Sequence, residues 1–122
     1  MAETLSTKNE KDFAVIQETR MAYKACGKEP SRYRPSAEAL LRRIRTKREL
    51  YYLNNVVDTI NHISIHTQFS IGGFDSTQIK ESIICDIGTD QPYEAIGRGL
   101  LNIASMPSLR DKHGFFGTPT SD

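Results

Sequence analysis

The hydrophobic pattern changes period at Gly72-Gly73, and that change limits the folds open to the chain. Before the glycine pair, apolar residues recur at helical spacing. Ala37, Leu40, Leu41 and Ile44 stand at i, i+3, i+4 and i+7 and predict a helix over 37–45, with Ser36 as its N-cap. Val56, Ile60, Ile63 and Thr67 form a second row and predict a helix over 55–66, opened by Asn54 or Asn55, with Asp58, Asn61 and His62 on its flank. From residue 9 or 10 to Cys26, good helix formers place Val15, Ala22 and Cys26 on one row and Ile16 and Tyr23 on another. Gly27 follows where a left-handed C-cap belongs. Pro30 and Pro35 bracket a non-helical link, since each disfavours helix in the residue before it.

Beyond the glycine pair the residues favour strand. Ile83-Ile84-Cys85-Asp86-Ile87 is rich in β-branched residues and ends at Gly88, and Leu100-Leu101-Asn102-Ile103 reads as another strand. Asp111-Lys112-His113-Gly114 reads as a tight turn, because Gly114 can take the positive φ that such a turn demands. The closing residues 117–122 predict no element. Three helices followed by three or four strands predict an α+β fold, with a helical N-terminal half packed on a mainly antiparallel sheet from the C-terminal half.

A length of 122 residues suits one domain over 9–122, preceded by an aperiodic arm over 1–8. Apolar runs are only a few residues long, far short of the roughly 20 needed to cross a bilayer, so no membrane association is expected. Glu3, Lys8, Glu10, Lys11 and Asp12 fit neither a secretory signal nor a transit peptide, and the expected location is cytoplasmic. Cys26 and Cys85 lie far apart with no CxxC spacing, which predicts two buried structural thiols and no disulfide framework.

Familiar chemical motifs are absent. His62 and His66 share a helical face, but Ile63, Ser64 and Ile65 between them supply no glutamate, and no metal is expected. Gly97-Arg98-Gly99 lacks the third glycine of a dinucleotide fingerprint, and neither a phosphate-binding GxxxxGK[ST] loop nor a GxSxG nucleophile elbow occurs, so no cofactor is expected. Net charge is only +1, which excludes a general polycation. The distribution is local: Arg32, Arg34, Arg42, Arg43, Arg45, Lys47 and Arg48 crowd a window in which Glu38 is the only acid. The arginines of the predicted helix lie off its apolar row and should project to solvent, with Tyr33 and Tyr51-Tyr52 interleaved. Arg34, Arg42, Arg43, Arg45 and Arg48 are therefore the candidate RNA-binding residues, holding phosphates while tyrosines stack on unpaired bases.

Three stretches resemble the B3/B4 domain of the phenylalanyl-tRNA synthetase beta subunit and the free-standing proteins built from it. They are Tyr33-Arg34-Pro35-Ser36-Ala37-Glu38-Ala39-Leu40-Leu41-Arg42-Arg43, then Leu53-Asn54-Asn55-Val56-Val57-Asp58-Thr59-Ile60-Asn61, then Ser70-Ile71-Gly72-Gly73-Phe74-Asp75. The resemblance extends over residues 13–122 and takes in Gly97–Ile103 and Phe116–Asp122. In the synthetase this domain hydrolyses tRNA wrongly charged with tyrosine. The resemblance therefore implies tRNA, aminoacyl-tRNA or free amino acid as the ligand class, and allows hydrolysis of mischarged aminoacyl-tRNA in trans. Polar Asn54, Asn55, Asp58 and Asn61, with Gly72 and Gly73, are the candidate pocket residues, and the glycines would admit a ligand close to the backbone. Gly72 stands where the synthetase pattern has a histidine, which leaves the catalytic residues unassigned. The alternative is a non-catalytic module that binds an amino-acid-like metabolite or a protein partner. The resemblance also implies that the domain continues beyond Asp122, or that a second chain or protomer completes its sheet.

Overall fold

A computed structural model describes residues 13–46, 48–50, 52–95 and 99–120. The arm over 1–8, the helix start expected at residue 9 or 10, and Lys47, Tyr51, Gly97 and Arg98 lie outside the described residues. Helix α1 spans Ala14–Cys26, α2 Ser36–Arg45 and α3 Asn55–Thr67. Strands β1 (Ile84–Ile87), β4 (Pro107–Asp111) and β5 (Gly114–Gly117) form an antiparallel sheet in the order β1-β4-β5. Two shorter strands, β2 (Glu94–Ala95) and β3 (Gly99–Leu100), pair separately. The fold is α+β, with the helices in the N-terminal half and the antiparallel sheet in the C-terminal half.

Local chemistry sets the helix ends. Gly27 takes φ 93°, and the amides of Gly27 and Lys28 return to the carbonyls of Lys24 and Tyr23, which closes α1 in a Schellman motif. Asn54 Oδ1 accepts from the Val57 amide at 2.9 Å, and Asp58 Oδ1 accepts from the Leu53 amide at 2.9 Å, a reciprocal cap on α3. Helix α2 departs from expectation: Ser36 is its first helical residue rather than its N-cap, and Pro35 holds the cap position without a side-chain bond.

Two buried clusters hold the domain together, and α1 contributes to both. Ile16 packs with Phe13, Leu41, Ile44 and Ile65 between the helices, flanked by half-buried Leu40 and Leu50. Two turns on, Tyr23 packs with Tyr93, Ala95, Leu101, Ile103 and Met106 beside the sheet. Lys28 is buried too: its Nζ donates to the Asn102 carbonyl at 2.7 Å and lies 4.0 Å from the Tyr33 ring centroid. Burial, with Arg32 nearby, pulls its pKa below the ordinary lysine value. Glu38 is buried on α2 because Arg20 of α1 reaches its Oε1 at 2.7 Å.

Four expectations are corrected. The Val56, Ile60, Ile63 row of α3 does not face the core: Val56 is 68% and Ile63 47% exposed, whereas Ser64 and Ile65 are buried. Ile65 fills the cluster under α2, and this contact sets the helix's rotation. Cys85 is exposed and Cys26 half-buried, because β1 is an edge strand with all four residues exposed. The strand expected over 100–103 is only the two-residue β3, since Leu101 and Ile103 are instead buried in the cluster beside the sheet. Gly117, expected to lie outside any element, ends β5, and of the described residues after it Thr118 and Thr120 are buried.

Candidate functional site

A cavity of about 180 Å³ opens where the first turn of α2 meets the sheet. Ser36 contributes from α2, and Ser70, Ile71, Gly72 and Phe74 from the loop after α3. Cys85 of β1, Pro107, Ser108 and Leu109 of β4, and Thr118 and Pro119 after β5 complete the lining. Backbone chemistry builds this junction. The first amides of a helix have no partner within it, and here the Ser36 amide donates to the Pro119 carbonyl at 2.7 Å and the Ala37 amide to Ser70 Oγ at 3.1 Å. Two segments distant in sequence thus cap α2 and form the cavity walls in doing so. Ser64 Oγ donates to the Phe69 carbonyl at 2.6 Å, which fixes the path of the loop as it leaves α3.

The lining is mainly apolar. The hydroxyls of Ser108 and Thr118 donate to Met106, to its carbonyl oxygen and its sulfur respectively. No carboxylate, imidazole, ammonium or guanidinium is among the lining side chains. The site can therefore sequester an uncharged group and offer it hydroxyl oxygens and backbone.

Of the six candidate pocket residues, only Gly72 lines the cavity. Gly73 is adjacent and exposed, and a Cβ there would meet nothing within 4 Å. Asn54 and Asp58 cap α3 at its far end, and Asn55 is the first residue of that helix. A 13-residue helix is about 20 Å long, so Asn54 and Asn55 stand a helix length, and Asp58 about 14 Å, from the loop that follows it. Asn61 is half-buried midway along α3. Ser108, Leu109, Thr118 and Pro119 were not legible as site residues, because what brings them together is the pairing of β4 with β5 and the Pro119–Ser36 bond.

Four of the five candidate arginines lie at the opposite end of α2, whereas Arg34 precedes Pro35 at the cavity end. Arg42, Arg43 and Arg45 occupy its last turn, where cations complement the helix dipole, and Arg48 follows on the surface. The three helical arginines are half-buried rather than fully solvent-directed. Arg43 Nε donates to the Glu49 carbonyl at 2.9 Å, and the Arg45 guanidinium lies 6.0 Å from the Phe13 ring centroid. Arg34 is half-buried just ahead of Pro35. Tyr52, which follows Arg48 closely in the chain, is 68% exposed, and Tyr33 packs inward against the cluster beside the sheet. His62 and His66 sit half-buried and exposed on α3, and no metal-binding group of three ligands forms among the described residues.

The fold and site define an α+β domain with an apolar cavity at the first turn of a helix and three half-buried arginines in its last. The model of the B3/4 domain family matches residues 18–97, more than half of the chain, and the chain belongs to that family, which is associated with the phenylalanyl-tRNA synthetase beta chain. No curated protein and no solved structure matches the chain. The matched span supplies Ser36, the loop from Ser70 to Phe74 and Cys85, and the remaining cavity walls come from residues beyond it. Among the described residues no helix is long and apolar enough to cross a membrane.

Proposed function

We propose that the protein binds the aminoacylated end of a tRNA, with the aminoacyl group in the cavity and the phosphates of the acceptor strand on the arginines of α2. The observation that carries this reading is the polarity of that helix. It is 10 residues and about 15 Å long, with a neutral, mainly apolar cavity at its first turn and three arginines in its last. A ligand that suits both ends joins a small uncharged group to a polyanion. Exposed Tyr52, shortly after Arg48 in the chain, offers a face on which an unpaired base can stack.

Recognition is proposed rather than hydrolysis, because the described lining provides no carboxylate or imidazole and Gly72 occupies the position of the family's histidine. The test is binding of a phenylalanyl-tRNA across a salt series. Affinity should fall steeply with salt, and replacing Arg43 and Arg48 together by glutamine should flatten the slope by roughly one unit for each phosphate that is no longer neutralised. An unchanged slope contradicts the assignment. A second reading, a module for an amino-acid-like metabolite, draws on the same neutral cavity, and binding of a free amino acid with no tRNA affinity would select it.

A further inference from the structure

Among the described residues, the two edges of the three-stranded sheet differ. At the β5 edge the Gln91 side chain stands in for a neighbouring strand: its Oε1 accepts from the Phe115 amide at 3.3 Å and its Nε2 donates to the Phe115 carbonyl at 3.4 Å. The Tyr93 hydroxyl donates to the Phe116 carbonyl beside them at 3.0 Å. At the β1 edge all four strand residues are exposed, Ile84 at 42% and Ile87 at 52%, and Ile83 just ahead of them is 54% exposed. Ladder bonds in an antiparallel pair fall on every second residue. Gly88 turns its amide to the Met106 carbonyl and its carbonyl to the Ser105 amide, just ahead of β4, so Asp86 and Ile84 bond toward β4 as well. Ile83, Cys85 and Ile87 therefore turn their amides and carbonyls away from the sheet. Two observations agree. Pro107, which has no amide to donate, stands opposite Ile87, and the Ile87 amide donates to the carboxylate of its own neighbour, Asp86 Oδ1, at 2.8 Å. An apolar edge with outward amides is a template for another strand.

We infer that β1 pairs antiparallel with β1 of a second copy of this chain, about a two-fold axis at Cys85, so that the two sheets join into one. Outward-bonding residues must meet outward-bonding residues, which leaves three registers centred on β1. Setting Asp86 opposite the partner's Asp86 brings two carboxylates together. Setting Ile84 opposite the partner's Ile84 leaves Ile87 facing Glu81, whose φ of 66° interrupts the extended backbone. With Cys85 opposite the partner's Cys85, Ile83 meets Ile87 at both ends and every outward amide from 83 to 87 finds a carbonyl. The flanking charges favour a second copy. Exposed Lys80 precedes the strand and exposed Asp90 follows it, with Glu81 already held by Lys112 at 3.4 Å, so antiparallel pairing brings the lysine end of one strand to the aspartate end of the other. Residues directly opposite in an antiparallel pair share a face. Cys85 lines the cavity, so the partner's Cys85 extends that wall, and the second copy contributes to the site whatever the cavity binds.

Five residues a side make a small interface, so the dimer should be reversible, with a dissociation constant on the order of 10–100 μM. Sedimentation of the full chain from about 1 to 500 μM should show the mass rising from 13.8 kDa toward twice that value. A short bis-maleimide, which joins two thiols, should link Cys85 to Cys85, as read by peptide mapping. Ile83→Lys and Ile87→Asp should each weaken the dimer more than about tenfold, since each removes an isoleucine from two cross-strand pairs. Combining them in one chain should recover about tenfold over either alone, because the register sets residue 83 opposite residue 87. A mass that stays at 13.8 kDa up to the highest concentration overturns the inference and leaves the edge to a strand of a different protein. A dimer that neither single variant weakens also overturns it, and points instead to the outward Val56 and Ile63 row of α3. Weakening without recovery in the double variant overturns the register. Should a charged variant not fold, the unsubstituted chain decides: a doubled mass with no link between Cys85 thiols overturns the pairing.

Discussion

The hydroxyls of Tyr23 and Thr120 lie 2.7 Å apart in the interior and join the first helix to residues 97 positions later in the chain. Thr120 Oγ1 also donates to the Tyr33 carbonyl at 3.0 Å. A threonine hydroxyl has one proton, so Tyr23 must donate to Thr120. This relay docks the closing residues beside α1 and thereby carries Thr118 and Pro119 to the cavity. Tyr23→Phe removes one link and should cost about 1 kcal/mol. Thr120→Val removes the bonds to both the Tyr33 carbonyl and the Tyr23 hydroxyl and should cost more, about 1–3 kcal/mol. Urea unfolding midpoints at unchanged slope measure both, and equal, negligible losses would show that the relay is not needed for docking.

Gly88 should be the glycine least tolerant of substitution. Its amide donates to the Met106 carbonyl at 2.7 Å and its carbonyl accepts from the Ser105 amide at 2.9 Å, so the backbone is held against the 103–106 turn. A Cβ there would overlap the Ile103 carbonyl, which is backbone and cannot swing aside. Gly88→Ala should cost more than about 2 kcal/mol, whereas Gly73→Ala, with open space around it, should stay within about 0.5 kcal/mol. Thermal unfolding of the two variants side by side checks the contrast.

Asp111 links acid stability to the loop that carries Phe74. The Lys80 amide, followed by that of His113, holds its carboxyl below the usual aspartate range. A depressed folded-state pKa contributes stability above the unfolded value, near pH 3.9, and that contribution is lost as pH falls through the lower folded value. The stability difference between wild type and Asp111→Asn should therefore be constant from about pH 5 to 7 and shrink below about pH 4. A difference that widens on acidification would contradict the assignment.

Much of the fold was legible where short-range chemistry decides it. Gly27, Asn54 and Gly114 mark their cap and turn positions because left-handed backbone and orphan amides are local problems with few solutions. The rotation of α3 was not legible. Its apolar row at Val56 and Ile63 points outward, and what settles the rotation is the fit of Ile65 against Leu41 and Ile44. Nothing near Glu38 in the chain marks it for burial, because its partner Arg20 stands 18 positions earlier. Of the cavity, Gly72 could be found from the sequence, but four of the remaining lining residues depend on the β4–β5 register and the Pro119–Ser36 bond. Such long-range pairings leave no periodic trace in the sequence.

On the proposed reading, the arginines and the cavity should make separable contributions to binding. Glutamine at Arg48, which is exposed, should reduce the affinity for charged and uncharged tRNA alike, because a phosphate contact is indifferent to the aminoacyl group. Filter binding at two salt concentrations tests this, and a selective loss for the charged form would place Arg48 near the aminoacyl end instead.

The central claim is that one helix joins an aminoacyl cavity to a phosphate-binding surface. Its most direct measurement is competition between a phenylalanyl-tRNA and the same tRNA stripped of its amino acid, with release of the amino acid followed in parallel. The account predicts that the charged form binds about tenfold tighter or better, since burying a phenyl-sized group contributes roughly 1.5–3 kcal/mol. Equal affinities would contradict it.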